Sequence, residues 1–280
     1  MGMFSNFTKE GKGVEKREFR PNDFSMFFIL LTRKFFSYVK LNLMYALTCI
    51  PSIFTLYYVF TICVGDLAEW TNDDLKVITL ATFALAVTVT MVYGLSPFSS
   101  GFYYILRNFA REEHSWMSDF WSEFKNNWKQ SLITWVVDSA VIIIGALTLR
   151  AYFVLIITEG TKFMFPVIVF IIFLILFALS TPYKWTSVVT FENKLTQIYK
   201  NATFFVLGGG LRTVAQFIFS AILIGIVLVC GFLYNIVAYL VMAIIGFSVY
   251  GLMQAVIIYP VITKYTNPEK FVEVDITEEE

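Results

Sequence analysis

The chain holds a single histidine, His114, and three cysteines, Cys49, Cys63 and Cys230. One histidine leaves no second imidazole to share a metal ion. The cysteines lie inside apolar runs without C-x-x-C spacing, so they read as small buried hydrophobes rather than a redox or metal site. Charge is scarce too: Asp, Glu, Lys and Arg make up 15% of the 280 residues, with 21 basic side chains against 21 acidic ones. That balance advertises no nucleic acid or acidic partner. The N-terminal MGMFSNFTKEGKGVEKREFRPND lacks a short apolar core followed by a small-residue cleavage site, so it is not expected to be a removable signal peptide. Asn6 stands where N-myristoylation needs Ser or Thr. Gly208-Gly209-Gly210 leads into Leu211-Arg212 without the Lys-Ser or Lys-Thr of a phosphate-binding loop, and reads as a flexible entry to a helix.

What is abundant is apolar: 58% of the residues, with 18% aromatic. They gather into runs of about twenty, the length that crosses roughly 30 Å of hydrocarbon. The expected fold is therefore an all-α integral membrane protein with six transmembrane helices, plus amphipathic helices at the cytoplasmic and interfacial surfaces. The spans are placed at 39–62, 77–97, 132–156, 163–182, 213–233 and 237–260. The last two divide one long apolar stretch at Leu233-Tyr234-Asn235. With that threading, 18 of the 21 Lys and Arg residues fall on one side, against Lys76, Arg150 and Lys162 on the other, which puts both termini in the cytoplasm. The domain plan is a basic tail (1–22), a membrane domain (23–262) with cytoplasmic loops 98–131 and 183–212, and an acidic tail (263–280). Residues 24–38, after a possible Asp23 cap, suit a helix lying among lipid headgroups.

Within FAREEHSWMSDFWSEFKNNWKQ and just past it, the residues Met117, Phe120, Trp121, Phe124, Trp128 and Leu132 recur at three- and four-residue steps. They share one face of a helix of about four turns that Ser115 can cap. This face is either a docking surface, with Phe120, Trp121, Phe124 and Trp128 as the contacts to test, or a face packed on bundle and headgroups. His114 reads as a solvated loop residue. Asp138, about six residues inside the third span, is a functional candidate by its depth, unless it reaches Lys184, Arg212 or Asn42. Asn42, Asp138 and Gln216 are the candidate intramembrane polar residues for a solute path; Asn235, Ser248 and Gln254 more often serve interhelical hydrogen bonds. The prolines at the ends of or within spans shape kinks. Gly94-Leu-Ser-Pro97-Phe and Ala178-Leu-Ser-Thr-Pro182-Tyr, 84 residues apart, hint at an internal repeat, an arrangement in which sites lie between the halves. No paired carboxylates, second histidine or nucleophile beside a base is present, so neither enzymatic activity nor a cofactor is expected.

The pieces GLSPFSSGFYYILRNFAREE (94–113), FWSEFKNNWKQSLITW (120–135), Asn42-Leu-Met, Cys49-Ile-Pro51, YKNATFF from Tyr199 and GFSVYGLMQAVIIYPVITKY from Gly246 occur in an order that resembles the YesL-type family of bacterial multi-pass membrane proteins. The likeness covers about residues 35–265. Members are typically encoded beside carbohydrate ABC importers in Gram-positive bacteria. The resemblance thus implies a bacterial plasma-membrane protein with a role in carbohydrate uptake, partnered by the lipid bilayer and by importer permease or ATPase subunits, and it transfers no catalytic residues. Neither large cytoplasmic loop carries the E-A-A-x-x-x-G coupling motif of a permease, so the expected role is accessory or assembly factor. The alternative is a small-solute transporter or channel with its path between the repeats.

Overall fold

The computed structural model describes residues 25–65, 73–93, 95–111, 113–234 and 240–266. Among them are ten α-helices and no strand. These are α1 (Ser25–Arg33), α2 (Phe35–Val64), α3 (Asp73–Tyr93), α4 (Ser99–Ala110), α5 (Asp119–Asn126), α6 (Trp128–Glu159), α7 (Met164–Thr190), α8 (Leu195–Gly208), α9 (Leu211–Tyr234) and α10 (Phe247–Thr266). A π turn, Met242–Gly246, leads into α10. Five helical stretches, Phe35–Tyr58, Trp128–Glu159, Thr161–Thr190, Leu211–Cys230 and Met242–Thr266, are long and apolar enough to cross a membrane. Only helices and closed barrels pair every backbone amide internally, as hydrocarbon demands. α3 is 21 residues long and opens on Asp73, Asp74 and Lys76.

The packing is inverted relative to a water-soluble bundle. α6, α7 and α9 turn Val136, Ile144, Phe165, Phe173, Ile222 and Ile226 outward, a contiguous apolar exterior that water would not tolerate. α10 sits inside, with Tyr250, Leu252, Gln254 and Ile258 among its buried residues. It packs on α2, α4 and α9. Tyr45 of α2 stacks on Phe102 of α4 at 3.9 Å and meets Phe247 edge-on at 5.5 Å, the latter in the T-shaped geometry that ring quadrupoles favour.

The shorter helices gather at one end of this bundle, where α4 packs on both α5 and α7, and α8 packs on α7. α4 and α5 approach so closely that a Cβ on Gly101 would collide with the carbonyl oxygen of Phe120. Arg107 of α4 donates to Val189 O at 2.7 Å and to Thr190 Oγ1 at 3.2 Å. A guanidinium thereby satisfies a terminal carbonyl at the negative end of the α7 dipole. Gln130 Nε2 donates to Asn193 O at 3.0 Å, and Lys34 Nζ to Glu113 O at 3.3 Å.

Several boundaries differ from the sequence expectation. α7 runs to Thr190, past the break expected at 182, with Pro182 inside the helix and α4 and α8 packed against it. Lys184 is consequently a buried helical residue, not part of a loop. The two proline corners also part company. α3 ends at Tyr93 and α4 starts at Ser99, and between them Ser96 Oγ donates to Thr48 O at 3.0 Å. The glycine run is a tight turn between α8 and α9, with Gly210 at φ 53°, where the missing side chain matters. Asp23, Asn235, the basic tail (1–22) and residues 267–280 of the acidic tail lie outside the described residues; residues 263–266 are the end of α10.

Candidate functional site

Three helices bring Asp138, Lys184 and Tyr199 together. Asp138 lies ten residues beyond the start of α6, roughly 15 Å along its axis. Its partner is Lys184 on α7, whose Nζ donates to Asp138 Oδ1 at 2.6 Å. Both side chains are essentially inaccessible, at 0% for Lys184 and 2% for Asp138. Tyr199 of α8 donates to the same Oδ1 at 3.2 Å. Burial first, then the neighbouring carboxylate, raises the Tyr199 phenol far above its ordinary value, so it remains a proton donor. The ammonium also lies 3.9 Å from the Phe177 ring centroid and 5.1 Å from that of Tyr199, a cation–π cradle. Asp138 Oδ2 is buried without a hydrogen-bond partner. One oxygen of the carboxylate thus takes two donors and the other none.

Asp138 also lines a cavity of about 450 Å³ between α3, α6, α7 and α9. The walls are overwhelmingly apolar, with Val89, Ile142, Leu174 and Leu228 representative. Other hydroxyls in the lining have partners inside the protein: Thr82 Oγ1 donates to Ile78 O at 2.9 Å, and Ser220 pairs with Tyr250 OH at 2.9 Å.

The other two polar candidates are placed elsewhere. Asn42 sits between α2 and the π turn: its Nδ2 donates to Met242 O at 3.0 Å and Ala243 O at 2.7 Å, and its Oδ1 accepts from Ser248 N at 2.7 Å. These are backbone groups that a π turn leaves poorly paired. Gln216 Nε2 donates to Leu179 O at 2.9 Å. Of the three, only Asp138 lines the cavity.

The aromatic stripe is divided as well. The single helix expected over 115–132 is interrupted at Asn127, between α5 and α6. Ser115 does not cap it; instead Asp119 Oδ2 accepts from Trp116 N at 2.8 Å and Ser115 Oγ at 3.3 Å. Phe120 is 0% exposed and packs on Phe98 of the preceding corner, with Phe124 at 4.1 Å from that same ring. A side chain filled in by its own bundle is no docking contact, so Phe120 leaves the docking set. Trp121 and Trp128 stay exposed, at 45% and 50%, and Trp116 joins them at 66%. Periodicity identified the face but could not say that Phe98 would cover half of it.

These helices define a multi-pass helical membrane protein. The chain matches no family model, no curated protein and no solved structure. Among the described residues no three His, Cys, Asp or Glu side chains gather as a metal ion would require.

Proposed function

We propose that this is a six-span, non-enzymatic plasma-membrane protein with both termini in the cytoplasm, acting as an accessory or assembly factor for a bacterial carbohydrate ABC importer. α3 supplies the sixth span, and α1, α5 and α8 are its interfacial or amphipathic helices. The observation that carries the reading is the layer of α4, α5 and α8. It is tied to the bundle by Arg107, Gln130 and Lys34, yet Trp121 on α5 and Trp128 at the start of α6 stay exposed beside a fully buried Phe120. Rigidly mounted tryptophans with Lys125 and Lys129 around them fit the aromatic centre and polar rim of a protein contact. The resemblance to the YesL-type family supplies the carbohydrate context, and the permease or ATPase subunits are the partners.

The test is mild-detergent purification from native membranes with identification of co-purifying proteins. Importer subunits in stable stoichiometry support the reading, and their recovery is expected to fall about tenfold when Trp121 and Trp128 are both changed to Ala. Recovery of the protein alone sinks it; so does undiminished recovery with the double variant.

A second reading, a small-solute transporter, is favoured by one observation: the cavity lies between α3 and α6 on one side and α7 and α9 on the other, the two halves that the repeated Leu-Ser-(Thr)-Pro pattern delimits. Flux across proteoliposomes is its test, and a flat trace over a broad solute panel removes it.

A further inference from the structure

The geometry points to a ligand for this cavity: an apolar molecule that ends in a hydroxyl group. The inference deepens the second reading by naming the class of occupant, and it does not depend on the docking surface.

Size and wall chemistry set the body of the ligand. At about 450 Å³ the space falls within the roughly 300–1,000 Å³ of small-molecule sites. Its lining follows α6 from Asp138 to Phe153, a slot roughly 20 Å long. Leu85, Val141, Leu149, Ile171 and Ile224 offer dispersion contact and no hydrogen bonds. A sugar would strand its hydroxyls there.

Charge sets the head group. Asp138 is the single carboxylate in the lining, with no Lys or Arg beside it there, and its Oδ2 has no partner. Lys184 already balances its charge at 2.6 Å. A cationic head would leave an uncompensated positive charge in a dry site, and an anionic head would face a carboxylate; both are costly at low dielectric. Oδ2 is covered in the ligand-free protein, so a small turn of the carboxylate brings it to the cavity, where a neutral donor completes it without changing the charge count. The four hydroxyls in the lining, those of Thr82, Tyr93, Thr181 and Ser220, all have partners inside the protein, so one hydroxyl is enough.

Gly225 provides the means of testing this. It lines the cavity, and a Cβ added there meets nothing within 4 Å. The Cβ of Gly225→Leu therefore enters the slot without a clash and the exchange raises helix propensity, while the melting temperature without ligand separates lost binding from lost folding. The full-length chain, purified in mild detergent, is titrated with farnesol, farnesene, farnesylamine and farnesyl phosphate, with binding read by native mass spectrometry and by thermal unfolding. Farnesol is expected to be retained one to one and to raise the melting temperature. Farnesene, lacking the donor, binds about tenfold more weakly, and the amine and phosphate bind no better than farnesene. In Gly225→Leu, farnesol retention falls at least about tenfold while the melting temperature without ligand holds or rises. Equal retention of farnesene and farnesol overturns the proposal, as does undiminished farnesol binding in Gly225→Leu or retention of none of the four. Specific binding without flux keeps the occupant and discards the path, which separates this inference from the transport reading.

Discussion

Asn42 and Asp138 are both polar side chains buried on long apolar helices, at 0% and 1% exposure, but they are held in opposite ways. Asn42 gives two hydrogen bonds and takes one, all with backbone groups at or beside the π turn. A neutral amide can be satisfied by peptide groups alone, so its site is closed. Asp138 carries charge that peptide groups cannot neutralise. It recruits Lys184 and the Tyr199 hydroxyl on one oxygen and leaves the other without a partner. The first arrangement fixes the path of the chain. The second retains a capacity to bind, which is what distinguishes a site from a joint.

The ion pair of Asp138 and Lys184 carries the most stability of these contacts. Lys184→Met leaves the buried Asp138 charge without its counter-ion and is expected to cost about 3–5 kcal/mol, read by SDS-induced unfolding in mixed micelles. Adding Asp138→Asn removes both charges and should restore most of that loss. If the single variant is no less stable than the double, the pair is not the electrostatic unit described here. Next comes Asn42→Leu, which strands two carbonyls and one amide of the π-turn region; about 2–3 kcal/mol is expected in the same assay. A cost below that of Tyr199→Phe would show that the turn re-pairs its own backbone. Tyr199→Phe removes one of two donors to Asp138 Oδ1 and is expected to cost about 1 kcal/mol, since Lys184 stays in place.

The smallest effect concerns Glu123 on α5, outside the long apolar helices and only partly covered. Burial raises its carboxyl above the ordinary glutamate range, against the pull of Arg107. The folded state therefore holds that proton more tightly than the unfolded one. The group's contribution is fully present below the ordinary glutamate range and is lost as pH rises through its raised folded value. Glu123→Gln should flatten the melting temperature over that window, and an unchanged slope would remove Glu123 as the cause.

Much of the fold was legible because long apolar runs leave the backbone few alternatives to a helix. The positions of α2, α3, α6, α7 and α9 follow from those runs. Their ends did not, because a helix end depends on what covers it. Pro182 looked like a stop, and only the packing of α7 on α4 and α8 shows why the helix passes through it. Asp138 was visible as a charge in an apolar run, and Lys184 was one of three partners within its reach. Asn42 was visible as polar, but its role was not, since its contacts are backbone groups some 200 positions away and leave no pattern in side-chain chemistry. Tyr199 gave no signal, being one of many aromatics. Whether Phe120 met a partner or its own bundle stayed open, because a helical period reports a shared face and not its occupant.

The π turn at Met242–Gly246 makes this part of the chain sensitive to length more than to composition. An i→i+5 turn uses one residue more than an α turn for nearly the same rotation. Deleting one residue here would therefore allow an ordinary helix to form with α10 close to its present angle, and Tyr250 and Gln254 would keep Ser220, which they now meet at 2.9 and 3.4 Å. What the deletion would remove is the widened turn whose Met242 and Ala243 carbonyls accept from Asn42. A further residue inserted here would instead turn all of α10 by about 100° and swing those contacts apart. Chains that share this architecture should thus tolerate exchange among Met, Ala and Ile across the segment, and the loss of one residue, better than the gain of one.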